Sequence, residues 1–211
     1  MRKSTRDANP AITYLCSPNN PTGVVETEET VREVLAIAPG LLVVDEAYGQ
    51  FAPWSALELL DEDTPLVVTR TYSKTWSMAA TRLGYLVGPT WLVAELDKVV
   101  LPYHLDTVKQ IAGRLALDFR DDMDARVAAL VEERGRLVAR LTELDIDVWP
   151  SGANFVLIRP RSSDGHAVWQ GLLDRGVLIR ETGPDGWLRV SIGTDDEMAA
   201  FRSALEEVLH D

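Results

Sequence analysis

The amino-acid sequence predicts an α/β protein: a layered domain with a mainly parallel sheet, followed by a small α+β domain. Residues 12–15, 41–44, 66–69 and 83–87 are short continuous apolar runs, as expected of strands covered on both faces. A helical stretch lies between the first two, and strands alternating with helices favour a parallel sheet. Toward the C terminus, short strands and helices alternate again on a smaller scale.

Taken in order, the strand at 12–15 stops at a turn rich in proline and asparagine. Thr27 can cap a helix running to about Ala38, with Val31, Val34, Leu35 and Ala38 on one face, and Pro39-Gly40 ends it. Ile111, Leu115, Phe119, Met123, Val127, Leu130, Leu137, Leu141 and Leu144 recur at helical spacing, predicting a long helix or broken pair over 107–144. Arg120-Asp121-Asp122 marks its break or a solvated face. Strands are expected at 155–158, 177–180 and 187–191, and helices at 164–175 and 195–209. The expected division is a large-domain portion over 1–106, a connecting helix or helix pair over 107–144, and a small domain over 145–211.

The chain has 211 residues, enough for a substantial core, with 46% hydrophobic and 26% charged residues. No apolar run approaches the ~18 residues of a membrane span, so no membrane partner is expected. A net charge of -12 argues against a nucleic-acid surface, which would be basic. One cysteine, Cys16, and three scattered histidines offer no metal-ligand spacing, and no metal is expected. A single cysteine also fits a reducing, cytoplasmic setting. The stretch Met1 to Asn9 is basic but lacks a following apolar segment, so it is not read as a secretory signal.

Three phrases carry the chemistry in a fixed order: Ser17-Pro18-Asn19-Asn20-Pro21-Thr22-Gly23, then Val43-Val44-Asp45-Glu46-Ala47-Tyr48, then Thr71-Tyr72-Ser73-Lys74-Thr75-Trp76. In a parallel sheet, ligands bind outside the carboxyl ends of the strands, where Asp45 and Thr71 fall. Each phrase supplies a group that pyridoxal phosphate needs. A carboxylate beside the ring nitrogen favours the charged pyridinium, and Asp45 suits that task better than Glu46. Donors from Asn20 and Tyr48 would stabilise the phenolic oxygen. Lys74 would attach the cofactor, made nucleophilic by burial near cationic groups, and could then move the substrate proton. Arg82 with the hydroxyls of Thr71 and Ser73 makes a phosphate cup, since the guanidinium fork suits phosphate.

Each residue also has a plainer use. Asp45 could be a helix cap or a loop acid, Asn20 could satisfy its own turn, and Tyr48 could pack in the core. Arg180 and Arg189 lie in apolar strand patterns, each either held in a structural ion pair or awaiting a ligand anion.

These phrases resemble fold-type I pyridoxal-phosphate aminotransferases, and specifically the histidinol-phosphate aminotransferase family. Leu101-Pro102-Tyr103-His104, Ala153-Asn154-Phe155 and Leu188-Arg189-Val190 extend the match in family order. The resemblance implies a partial pyridoxal-phosphate-dependent transferase large domain, three-layered, with the small domain behind it. It implies that Lys74 carries the cofactor, Asp45 pairs its ring nitrogen, and Asn20 and Tyr48 hold its phenolic oxygen. Thr71, Ser73 and Arg82 would hold the phosphate, Arg189 the substrate carboxylate, and Arg180 and Tyr103 the phosphate of histidinol phosphate. The implied reaction exchanges an amino group between histidinol phosphate and the 2-oxo acid 2-oxoglutarate.

Within this resemblance the chain begins where the family's second half begins. That start implies an open sheet edge and an exposed apolar face, to be covered by a homodimer or a complementing N-terminal-half chain. Alone, the chain is expected to be poorly stable or to oligomerise. Thr75-Trp76 replaces an alanine-aromatic pair, Ala80-Thr81 lacks the glycine usual before Arg82, and Gln50 stands where glutamate is common. The alternatives are an inactive remnant or half of a split enzyme, and other pyridoxal-phosphate chemistry such as threonine-phosphate decarboxylation or aromatic amino-acid transamination.

Overall fold

A computed structural model describes residues 8–210. All but the last two residues of the Met1 to Asn9 stretch fall outside the described residues. The chain forms two compact units, one comprising residues up to Pro18 with Glu26–Ala125, the other Asn19–Val25 with Arg126–Asp211.

The first unit carries a four-stranded sheet of order β1-β2-β3-β4. Strand β1 (Ile12–Cys16) leads to helix α1 (Glu28–Ile37) and strand β2 (Leu41–Asp45), and strands β3 (Leu66–Thr71) and β4 (Gly84–Val87) follow. Helix α2 is Thr90–Asp97 and helix α3 Thr107–Ala116. β1, β2 and β3 run parallel, in a register that sets Cys16 beside Asp45 and Asp45 beside Thr69; β4 is antiparallel to β3. The expected cap is present: the Thr27 side chain accepts from the Thr30 amide at 3.1 Å, closing one orphan donor of α1. Val31 and Val34 of α1 pack with Leu15, Leu42, Val44, Leu66 and Val68 of the sheet.

Helix α4 (Arg120–Thr142) begins in the first unit and continues into the second. The break expected within 107–144 falls at Leu117–Phe119, a 3-10 turn between α3 and α4. The second unit adds strand β5 (Ile146–Val148), strand β6 (Phe155–Pro160), helix α5 (Gly165–Asp174), strand β7 (Arg180–Glu181), strand β8 (Leu188–Ser191) and helix α6 (Asp195–His210). Its antiparallel sheet has the order β5-β6-β8-β7. Leu137 and Leu141 of α4, Val168 and Leu172 of α5, and Met198, Phe201 and Leu205 of α6 enclose Val156, Ile158, Leu188 and Val190 of that sheet.

Three elements depart from expectation. Helix α2 lies where contiguous apolar residues mask a helical period. Strand β5 is only three residues long, too short for an alternation to register. The strand expected at 177–180 shrinks to Arg180–Glu181 because Val177 closes the preceding helix. Its amide bonds the Leu172 carbonyl at 2.9 Å and Gly176 sits at φ 78°, a left-handed helix stop that spends the residues before the strand.

Both outer strands of the first sheet pair on one side only among the described residues. Tyr14 on β1 is 72% exposed, and every residue of β4 is exposed. Val99, Leu101, Val108, Leu115 and Phe119 add exposed apolar surface, so the open edge and apolar face expected from the sequence are both present.

In the second unit, Glu133 of α4 is 3% exposed and accepts from Arg136 Nε and Arg202 Nη1, each at 2.5 Å. Burial alone would raise its carboxyl, yet the hydrogen bonds from Arg202 and Arg136 hold it below the ordinary 4.5. The folded state therefore binds this proton less readily than the unfolded chain, so the stabilisation is complete above about pH 4.5 and is lost as pH falls through the lower folded value. Glu133→Gln should cost about 1–3 kcal/mol near neutrality. Chemical denaturation at several pH values should show a shallower loss of stability in acid for the variant than for the native chain.

Candidate active site

In the first unit, the three parallel strands end on one edge of the sheet, at Cys16, Asp45 and Thr71. Asp45 Oδ1 accepts from the Ala47 amide at 3.0 Å, and Oδ2 has no protein partner among the described residues. The helix-cap reading of Asp45 is not realised, since no helix begins there.

Glu46 faces a different environment. It is 3% exposed and accepts from Ser55 Oγ at 2.7 Å, from the Ala56 amide at 2.6 Å and from Arg70 Nη2 at 2.7 Å. Glu46 is thus a committed structural anion, and Asp45 the one with an open oxygen. A Cβ on Gly49 would press on the Glu46 side chain at 2.7 Å, which is why the turn after Tyr48 takes glycine.

Tyr48 is buried, and its ring lies 5.0 Å from Lys74 Nζ. That separation is within cation–π range. Lys74 itself is exposed, contrary to the burial expected from its neighbours. The neighbours turn inward instead: Tyr72, Thr75 and Trp76 are buried, so the lysine is left on the outer side of the turn. Thr71, Ser73 and Arg82 come together as expected. Thr71 Oγ1 accepts from the Ser73 amide at 3.0 Å, and Arg82 Nη1 reaches Ser73 Oγ at 3.3 Å. Arg82 adopts φ 52° and is exposed. Tyr103 is 98% exposed and meets none of the other predicted residues of its unit.

The second unit holds Asn20, Arg180 and Arg189. Asn20 lies in the turn whose Gly23 has φ 78° and packs so closely on Ser151 that any side chain would collide with it. The Gly152 amide donates to the Gly23 carbonyl at 2.8 Å, which docks the turn on the loop before β6. Asn20 Oδ1 accepts from Arg189 Nη1 at 2.6 Å, a pairing between residues 169 positions apart that no local pattern signals.

The β7–β8 register places Arg180 directly opposite Arg189. Both line a cavity of about 580 Å³ with Ile179, Ser191, Met198 and Phe201. Neither arginine has a carboxylate partner among the described residues, so the structural ion pair considered for each is absent. Arg189 Nε is buried without a hydrogen-bond partner, and its guanidinium lies 5.0 Å from the Phe155 ring centroid. Like charges facing across a strand pair are unfavourable without a counterion. The arrangement is therefore suited to an anion.

A sequence model of the aminotransferase class I and II family matches residues 2–205. The chain belongs to that family. It is 47% identical over 205 residues to the histidinol-phosphate aminotransferase of Thermobifida fusca (strain YX), covering 96% of this chain and 56% of that protein. It is 46% identical over 209 residues to histidinol-phosphate aminotransferase 3 of Burkholderia lata, covering 98% of this chain and 56% of that one. Among solved structures, the histidinol-phosphate aminotransferase of Sinorhizobium meliloti in complex with pyridoxal-5'-phosphate is similar with a TM-score of 0.86 at 27% identity, over 99% of this chain and 60% of that one. The chain thus spans just over half the length of the curated relatives it matches.

The contrast between the two adjacent acids is measurable. Glu46→Gln strands the Arg70 guanidinium and should cost about 3 kcal/mol. Asp45→Asn keeps the acceptor for Ala47 and should change stability by less than about 1 kcal/mol. Equilibrium unfolding of the two variants side by side checks the difference.

Proposed function

We propose that this chain is the lysine-bearing portion of a pyridoxal-phosphate-dependent aminotransferase that exchanges an amino group between histidinol phosphate and 2-oxoglutarate. The observation that carries the reading is the group at the strand ends of the first unit. There an acid with an open oxygen, a hydroxyl–guanidinium pair and an exposed amine over a tyrosine ring occupy neighbouring turns. That donor set fits the cofactor: an anion for its ring nitrogen, hydroxyl and guanidinium donors for its phosphate, and a primary amine for its aldehyde.

Bound there, pyridoxal phosphate would supply a ring that takes up the electrons released when a substrate C–H bond breaks. Asp45 would keep the ring nitrogen protonated through its unpartnered Oδ2. Thr71, Ser73 and Arg82 would hold the phosphate, with Arg82 already oriented by Ser73 Oγ. Lys74 would hold the cofactor through its amine, and the same amine would be the group that takes up and returns a substrate proton. Tyr48 and Asn20 would donate to the phenolic oxygen. Asn20 can do so through its amide nitrogen while Oδ1 stays with Arg189, which fixes the orientation of both groups.

Arg189, with its buried unpartnered Nε, would take the substrate carboxylate, and Arg180 with Tyr103 the phosphate of histidinol phosphate. Two facing arginines without acids support a pair of anionic substrates, one bearing a phosphate and the other carboxylates. The exposed β1 and β4 edges support a further polypeptide in the working enzyme, as a homodimer or as a complementing chain. The cytoplasm is the proposed compartment.

Borohydride reduction in the presence of pyridoxal phosphate should fix the cofactor on Lys74, located by peptide mass spectrometry, and Lys74→Ala should abolish the label. Amino-group exchange on histidinol phosphate is expected once the open edges are covered, and labelling without exchange in any assembly would point to a remnant. Arg180→Ala should weaken binding of the phosphorylated amine by about tenfold or more, the loss of a charge-assisted contact, and unchanged binding would remove the phosphorylated substrate. Sedimentation of the chain alone should show self-association, and a stable monomer would contradict the role given to the open edges.

A further inference from the structure

The backbone that carries Lys74 is tied down at the residue that follows it. Thr75, the next residue, is 4% exposed, and its hydroxyl donates to Gln50 Oε1 at 2.8 Å. Gln50 Nε2 in turn faces Met123 Sδ at 3.8 Å, a weak contact with a side chain that is 3% exposed. The carboxamide is therefore oriented with its oxygen toward Thr75, because sulfur can accept but not donate here.

Gln50 is two residues beyond Tyr48, whose ring underlies the Lys74 amine. One tight turn, Gly49–Phe51 capped by Tyr48, thus presents both the ring against the amine and the amide that holds the following residue. The lysine loop is also bonded within itself. The Ser77 amide bonds the Lys74 carbonyl and the Met78 amide the Tyr72 carbonyl, both within the loop. Trp76 packs at a tilt against Tyr72 with ring centroids 5.7 Å apart, and its indole N–H is buried without a partner among the described residues. A hydroxyl at position 75 and a neutral amide at position 50 consequently form one matched pair.

We propose that Gln50 is a positioning residue for Lys74, acting through the Thr75 hydroxyl to set where the amine stands relative to the Tyr48 ring. The inference rests on Lys74 being the point of cofactor attachment. A neutral amide suits the task because it accepts a hydrogen bond without adding a negative charge near the reacting amine. The Thr75 hydroxyl is buried and donates to Gln50.

The test uses the full chain with Thr75→Val, Thr75→Ser, Gln50→Ala and the Gln50→Ala/Thr75→Val pair. Two readouts need no activity: amide hydrogen exchange of residues 74–77, and the pH profile for acetylation of the Lys74 amine by acetic anhydride, read by mass spectrometry. Thr75→Val and Gln50→Ala should each speed exchange by about tenfold, the factor expected for a lost buried hydrogen bond, and shift the Lys74 profile in the same direction. Thr75→Ser keeps the hydroxyl and should restore both. The double variant should match the single ones.

An unmoved Lys74 profile in both single variants, or additive effects in the pair, overturns the proposal. Borohydride labelling of the native chain tests cofactor attachment separately. Its failure with shifted acetylation profiles would reject the cofactor and keep the positioning. Successful labelling with unshifted profiles would do the reverse.

Discussion

The ion pair between Glu46 and Arg70 is the constraint on which the rest of the first unit's site depends. The parallel register brings the end of β2 beside β3, and the Glu46 amide extends that ladder to the Thr69 carbonyl at 2.9 Å. The Glu46 carboxylate then gathers Arg70 from β3 with Ser55 and Ala56 from the following loop. A buried charge that lost one of these partners would be strongly destabilising, so the backbone on either side of it has little freedom. Asp45, one residue before, bonds the Ala47 amide through one oxygen only, and Tyr48, two residues after, has its ring 5.0 Å from Lys74 Nζ. Two adjacent acids are thereby divided between structure and proposed chemistry.

The second unit reaches a comparable result by leaving charges unpaired. Acids outnumber Lys and Arg by 33 to 21 in the chain, so carboxylate partners are plentiful. Arg136, Arg140, Arg159, Arg161 and Arg202 all find one. Arg180 and Arg189 face each other across β7–β8 with none, and Arg189 is held by a neutral asparagine and an aromatic ring. A neutral partner fixes the direction of the guanidinium while leaving its charge for a ligand, which an ion pair would have neutralised.

Much of this was legible in the sequence, and the misses have local causes. The Thr27 cap, the strand ends at Asp45 and Thr71 and the helical period of α4 follow from short-range chemistry, and each stands where expected. Helix α2 was hidden because Trp91, Leu92 and Val93 follow one another without a helical stripe. The strand before Arg180 was overextended because the left-handed Gly176 turns Val177 back onto α5. Burial of Lys74 is expected from the small and hydroxyl residues that crowd it and the apolar strand that follows, but in a tight turn adjacent side chains diverge, and Tyr72, Thr75 and Trp76 take the inward positions.

The order of the phrases around Asn20, Asp45 and Lys74 identified by itself the kind of chemistry and the residues able to supply it. Side-chain type and strand position are properties of short stretches. Which of those residues would be left with a vacant valence was decided only by tertiary contacts. Glu46 met Arg70 and Asp45 did not, Arg189 met Asn20 in place of an acid, and Thr75 met Gln50 from 25 residues away. Such pairings arise when the folded chain brings distant segments within hydrogen-bonding reach, and no periodicity or local propensity encodes them.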